Sequence, residues 1–198
     1  MIEVGGAAVM VLGSAASGLV LALVGLVLAR WLGPVTAFSL VGFVWALVVI
    51  GLVTLVPPTG STTLVPAEAR QPTCSRTVGG PAPDGFWIFS GTQRMLNTAL
   101  FVPAGALLVL GLARWRTAWL LVPMGLAGLV GYSVLIEITQ LELARIDRAC
   151  DITDVVDNAT GALIGCGIGL ALALVLQPWR RRMREEARRD RTHPGLLG

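Results

Sequence analysis

The sequence contains no lysine, one histidine and one tyrosine, and only 14% of its 198 residues are charged. Soluble globular proteins carry about 25% charged residues, so this scarcity, with a mean hydropathy of +0.76, excludes that class. The only histidine, His193, lies in the C-terminal tail, and no serine or cysteine has an evident basic partner for nucleophilic catalysis. The three cysteines lack metal-ligand spacing. We therefore expect no metal and no other cofactor.

Most of the chain consists of long apolar segments without charged residues. Uncharged segments of membrane length occur at residues 4–29, 31–67, 95–113, 117–136 and 158–179. About 20 apolar residues cross a bilayer core, and Pro57-Pro58 should end the second helix near Val56. The sequence predicts an all-α, polytopic membrane protein with about five transmembrane helices, at residues 4–30, 36–56, 93–113, 117–141 and 152–177. We expect one integral membrane domain over 1–179, with an external loop at about 57–93, and a basic tail over 180–198.

The arginines are distributed unequally between the two sides of such a protein. If the helices alternate in direction, one side carries Arg30, Arg114, Arg116 and the seven arginines of the tail, and the other carries Arg70, Arg76, Arg94, Arg145 and Arg148. Arginine excess marks the cytoplasmic side, so we expect a cytoplasmic C-terminus and an external N-terminus. The tail also contains acidic residues and no interleaved aromatic residues, which indicates contact with anionic lipid and no nucleic-acid partner.

A polar cluster lies beside the last two apolar runs. Glu137 and Gln140 stand one turn apart at the end of helix four. At about 100° per residue, one arc of helix five holds Asp151, Asp154, Asn158, Gly161, Gly165 and Gly169. A carboxylate near hydrocarbon is costly unless it is paired or hydrated, so the cluster predicts an intramembrane site. The short connection predicts that helices four and five are antiparallel neighbours, and the glycine row should let another helix approach helix five closely.

Three polar blocks identify a family resemblance. They read Asn97-x-x-x-Phe101-x-Pro103-x-Gly105, Glu137-x-x-Gln140 and Arg148-x-x-Asp151-Ile-x-Asp154-Val-x-x-Asn158-x-x-Gly161-x-x-x-Gly165. Together, over about 93–170, they resemble the VanZ-like family of small multi-pass bacterial membrane proteins, named for a member linked to teicoplanin resistance. The resemblance implies a bacterial inner-membrane location. It also implies that the family's polar signature corresponds to Asn97, Glu137, Gln140, Arg148, Asp151, Asp154 and Asn158. One departure is Asp147, where the family commonly has glycine.

Three interpretations of the polar cluster stay open at this stage. The groups could satisfy one another as contacts between helices, with Asp151 or Asp154 capping helix five. They could bind an amphipathic partner, such as a membrane lipid, a lipid-linked envelope precursor or a lipophilic antibiotic, with Arg148 holding an anionic or polar group. They could also form an enzyme site in which paired carboxylates act as general acid and base, or hold Mg²⁺, for chemistry on a lipid phosphate. The sequence does not determine the ligand, the chemistry or the oligomeric state.

The cysteines carry a separate prediction. Cys74 lies in the external loop and Cys150 at the outer start of helix five, so both would face an oxidising compartment. We predict a disulfide between them that tethers the loop over the polar cluster, with two unpaired thiols as the alternative. Cys166 lies in the middle of helix five.

Overall fold

The structure is a computed structural model that describes residues 6–56, 74, 92–143, 151–180 and 183. The regular structure of this part of the chain consists of α1 (Ala7–Leu32), α2 (Pro34–Leu55), α3 (Thr92–Leu112), α4 (Ala118–Leu143) and α5 (Ile152–Leu176). All five helices are long and apolar enough to cross a membrane. The predicted fold class and the number of spans are therefore confirmed. Most of the predicted loop and tail lies outside the described residues, so the domain division stays a prediction.

A single glycine separates the first two helices. Gly33 has a φ of 81°, in the region that favours glycine. Its N–H donates to the carbonyl oxygen of Ala29 at 3.0 Å and so ends α1. Pro34 then occupies the first position of α2, where its missing N–H costs no helical hydrogen bond. The chain therefore reverses direction within one residue.

The direction of each helix follows from its contacts. Side chains of α4 reach α5 at both Asn158 and Asp151, and the α4 partners, Ser133 and Glu137, run in the opposite order. The predicted antiparallel pairing of α4 and α5 is thus observed. In contrast, α3 and α5 run parallel and form the most extensive helix pair. α2 contacts α1, α3 and α4, so α1 lies at the periphery of the bundle.

α3 and α5 approach so closely that their backbones are in direct contact. At each of four glycines, a Cβ atom would collide with a carbonyl oxygen of the facing helix, and at Gly169 it would lie only 2.6 Å from that oxygen. Small residues allow such close approach between helices in lipid. The colliding pairs are Gly161 with Thr98, Gly165 with Val102, Gly169 with Ala106, and Gly105 of α3 with Ala162 of α5.

α1 lies on α2 through small residues and one side-chain hydrogen bond. The indole Nε1 of Trp45 donates to the carbonyl oxygen of Ser14 at 2.8 Å. A Cβ at Gly18 would lie 3.0 Å from the same nitrogen, and one at Gly25 would lie 3.0 Å from the ring of Phe38. The glycines of α1 are therefore needed to seat large aromatic side chains of α2.

Apolar side chains cover the outside of the bundle as well as its interior. The buried core lies mainly among α2, α3 and α4 and includes Ile50, Phe101 and Leu129. Large apolar side chains also point outward along the helices; Trp119 and Val175 are each 77% exposed. Exposed apolar surface of this extent is stable only against another apolar phase. The outer surface therefore fits a lipid environment.

The two ends of the bundle differ in charge. We call the end that holds the C-termini of α2 and α4 and the N-termini of α3 and α5 the polar end, and the opposite end the arginine end. All the carboxylates of the described residues are at the polar end. The arginine end carries Arg30, Arg114, Arg116 and Arg180. Nη1 of Arg114 donates to the carbonyl oxygen of Leu32 at 2.7 Å, which ties the turn after α3 to the end of α1.

Candidate functional site

The structure brings the polar ends of α3, α4 and α5 together at the polar end. Six of the seven predicted binding residues are described, and Arg148 lies outside the described residues. Glu137, Gln140 and Asn158 are buried. The half-buried members are Asn97, Asp151 and Asp154. The site therefore has an enclosed layer and a partly accessible one.

Asp151 begins α5 and links it to α4. Its carboxylate accepts a hydrogen bond from the N–H of Thr153 at 2.9 Å, which makes it the N-cap. Its own N–H donates to Oε2 of Glu137 at 3.1 Å. Glu137 is only 4% exposed, so its carboxylate lies beside the positive end of the α5 dipole, which stabilises negative charge.

Two amide side chains lock α4 to its neighbours. Nδ2 of Asn158 donates to Oγ of Ser133 at 2.9 Å, and this bond joins α5 to α4. Nε2 of Gln140 donates to the carbonyl oxygen of Thr54 at 2.9 Å, and this bond joins α4 to α2. Sequence reasoning selected both amides but missed their partners, because a hydroxyl or a backbone carbonyl within an apolar run carries no distinctive pattern.

An ion pair that sequence reasoning did not assign lies between α3 and α5. Nε and Nη2 of Arg94 donate to the two carboxylate oxygens of Asp157 at 2.8 and 2.7 Å. Asp157 is completely buried, and the Arg94 side chain is 13% exposed. Paired hydrogen bonds of this geometry are strong and directional. One feature of the sequence could have identified Asp157: it precedes Gly161 by four residues and so continues the glycine row toward the polar end.

Thr98 lies one turn below Arg94 on α3. Its side chain is buried, with 4% exposure, and among the described residues its hydroxyl has no hydrogen-bond partner. Buried hydroxyls are nearly always paired because an unpaired one costs free energy. Thr98 therefore places a buried hydroxyl one helical turn from Arg94, on the side of α3 that contacts α5.

The potential metal ligands and the thiols of the described residues do not form a cluster. Within them, no three histidine, cysteine or acidic side chains are grouped closely enough to hold a metal ion. Cys166 of α5 is a free, half-buried thiol. Cys74 is described and is not a free thiol, but Cys150 lies outside the described residues. The Cys74–Cys150 disulfide therefore stays a prediction.

Comparison with known proteins supports the interpretation of the three polar blocks. A family model described as VanZ/LLP1 matches residues 19–175, which is more than half of the chain. Neither the curated proteins nor the solved structures gave a match. The match confirms the resemblance and extends it from the polar blocks into α1. With its five apolar helices, the chain is a multi-pass membrane protein that belongs to the VanZ/LLP1 family.

Proposed function

We propose that the polar end binds the headgroup of an amphipathic envelope molecule, either a lipid-linked precursor or a lipophilic glycopeptide such as teicoplanin. The observation that carries this proposal is the half-buried position of Asn97 and Asp154 beside the enclosed network of Glu137 and Asn158. Contacts between helices do not require these two side chains to remain partly accessible, whereas binding a headgroup does. The apolar outer faces of the helices would receive the acyl chain.

The distribution of charge supports an outward-facing site. Every described carboxylate is at the polar end, whereas Arg30, Arg114, Arg116 and Arg180 mark the arginine end. By the positive-inside rule the arginine end faces the cytoplasm. The polar end would then face the outer side of a bacterial inner membrane, where cell-wall precursors and glycopeptides are encountered. Arg148, by its place in the sequence, would lie at this end.

A purely structural role is the competing function, and specific contacts favour it for part of the cluster. The side-chain amides of Gln140 and Asn158 each donate a hydrogen bond to a neighbouring helix, and Asp151 caps α5. These three side chains therefore contribute to the shape of the site. Asp154 is the residue that best separates the two functions, because it is neither fully buried nor the N-cap of α5.

The test is teicoplanin susceptibility of a sensitive host that carries the wild type, Asp154→Asn or Arg148→Ala. Thr139→Val serves as a matched control, because this exposed hydroxyl donates to the carbonyl oxygen of Leu135 in its own helix. Membrane level and thermal stability are measured for each protein. We expect protection by the wild type and the control, and loss of protection in the two site variants at normal stability. Equal protection by all four proteins would refute the proposed site.

The predicted disulfide belongs to the same proposal. A Cys74–Cys150 bond would hold the loop after α2 beside the start of α5, and so beside the proposed headgroup site. Intact-mass analysis with and without reductant would show the mass of the two added hydrogens. The Cys166→Ser protein should show the same change. Absence of any mass change in both proteins would remove the tether from the proposal.

A further inference from the structure

The arginine end concentrates tryptophan as well as positive charge. Arginine and tryptophan are neighbours in three separate segments, Arg30-Trp31, Arg114-Trp115-Arg116 and Trp179-Arg180. With Trp119 in the first turn of α4, four of the six tryptophans of the chain lie at this end. Trp31 and Trp119 are 67% and 77% exposed, and indole rings favour the boundary between hydrocarbon and lipid headgroups. The arginines of this end therefore lie at headgroup level.

Contacts of the fold hold these three segments together. The bond from Arg114 to the carbonyl oxygen of Leu32 joins the turn after α3 to the end of α1. A Cβ at Gly169 of α5 would lie 2.9 Å from the Cβ of Val109, three residues before α3 ends. The last turns of α5 therefore run beside the end of α3. Within the described residues this end carries positive charge and no carboxylate.

The helix dipole explains the positions of three of the four arginines but not that of Arg116. Arg30 is in the last turn of α1, Arg114 follows α3, and Arg180 follows α5. Cations are stabilised at such C-terminal ends. Arg116 is exposed and lies two residues before α4 begins at Ala118. A helix begins with the positive end of its dipole, where a cation is unfavourable and an anion is stabilised.

We propose that the arginine end binds the phosphate of an anionic phospholipid between Arg116 and the first turn of α4. The guanidinium group matches the geometry of phosphate oxygens, and the start of a helix offers N–H groups to the same anion. Arg30 and Arg180 are exposed at the same end and add to the attraction. A phosphatidylcholine headgroup carries its own cation, which these arginines would repel.

The apolar surroundings favour a lipid over free phosphate as the occupant. Trp119 is one of the most exposed side chains and lies three residues after Arg116. Its indole would contact the acyl chains of a lipid whose phosphate lies at Arg116. This site is at the opposite end of the bundle from the headgroup site proposed above and does not depend on it. It also belongs to the folded bundle and not to the basic tail.

The test is thermal unfolding of the purified full chain in uncharged detergent, followed by circular dichroism at increasing concentrations of added lipid. The probes are phosphatidylglycerol and phosphatidylcholine with identical acyl chains, and inorganic phosphate. A ligand that binds only the folded protein raises the unfolding midpoint. We expect phosphatidylglycerol to raise the midpoint of the wild type, and the other two probes to leave it unchanged at equal concentration.

Three variants separate lipid binding from folding and from overall charge. Arg116→Gln should weaken the response to phosphatidylglycerol about fivefold, and without lipid it should be at least as stable as the wild type. Arg114→Gln should be less stable in every condition, because the Leu32 carbonyl loses its donor. Arg191→Gln removes the same charge from the tail and should respond to phosphatidylglycerol as the wild type does.

Several results would overturn the proposal. Equal stabilisation by phosphatidylcholine would show that the headgroup charge is not recognised, and equal stabilisation by inorganic phosphate would show that the occupant is not a lipid. An equal loss of response in Arg191→Gln and Arg116→Gln would replace the site by the attraction of the whole charge. An unchanged response of Arg116→Gln, or its instability without lipid, would remove Arg116 from the site. None of these results depends on teicoplanin susceptibility, so this inference and the proposed function stand or fall separately.

Discussion

Replacing Gly165 by alanine should destabilise the protein, whereas the same replacement at Gly167 should not. A Cβ at Gly165 would collide with the carbonyl oxygen of Val102 in α3, and a helix backbone cannot turn aside as a flexible side chain can. A Cβ at Gly167 would meet nothing within 4 Å. The two positions lie in the same helix, so the comparison isolates the effect of packing.

The expected difference in the free energy of unfolding follows from two opposing effects of adding a methyl group, the collision with the facing helix and the gain in helix propensity. Overpacking a well-fitted contact costs roughly 1–3 kcal/mol, and exchanging glycine for alanine inside a helix gains up to about 1 kcal/mol. The gain applies to both variants and cancels in their difference. Gly167→Ala should therefore be as stable as the wild type or slightly more stable. Gly165→Ala should be less stable than Gly167→Ala by roughly 1–3 kcal/mol.

The assay is equilibrium unfolding of the purified protein in mixed micelles with increasing SDS, followed by circular dichroism. The free energy of unfolding is extrapolated linearly for the wild type and both variants. Equal stability of the two variants would show that the close approach of α3 and α5 is wrong. A second pair, Gly165→Leu and Gly167→Leu, should enlarge the difference, because only the leucine at 165 must push the two helices apart.

Three further replacements test single contacts in the same assay. Asp157→Asn should lower the free energy of unfolding by roughly 3–5 kcal/mol because Arg94 loses a buried counter-ion. The Arg94→Gln, Asp157→Asn double variant should recover part of that loss. Strictly additive effects of the two replacements would contradict the ion pair. Gln140→Leu should cost about 1 kcal/mol because the Thr54 carbonyl loses its donor, and an unchanged stability would argue against this bond. Trp45→Phe should speed hydrogen exchange in α1 with little effect on α5, since its indole bonds to α1; uniform exchange changes would contradict the peripheral position of α1.

The helices were predictable from the sequence because lipid leaves so few alternatives. An uncharged run of about 20 residues that must satisfy its own backbone hydrogen bonds forms a helix, and its ends follow from charge, glycine and proline. The turn between the first two helices was predicted less closely: helix one was expected to end at residue 30 and helix two to begin at residue 36, whereas Gly33 and Pro34 extend them to Leu32 and back to Pro34. The glycine row was visible for a similar reason, since a four-residue repeat indicates a helix surface made for close contact.

The Arg94–Asp157 pair was not predictable in the same way. The two residues are separated by 63 positions, and their contact depends on α3 and α5 being parallel neighbours in one register. The sequence shows that some helix approaches the glycine row but not which one. Asp157 also lies at the edge of the arc that holds Asp154 and Asn158, so a search for a single polar face passed over it.

The ion pair and the glycine row together determine how α3 sits on α5. The row repeats every four residues, so a slip of one turn would set Thr98 against Gly165 in place of Gly161 and still present glycine to a carbonyl oxygen. In that register Val102 would also face a glycine, Gly169, and only Ala106 would meet a residue with a side chain, Ala173, so the glycines alone discriminate weakly between the two registers. The bond between Arg94 and Asp157 exists in one register only, and any slip would leave a completely buried carboxylate without its partner, at a cost of roughly 3–5 kcal/mol. The glycines thus allow the close approach of α3 and α5, while the charged pair selects the register in which the two helices meet.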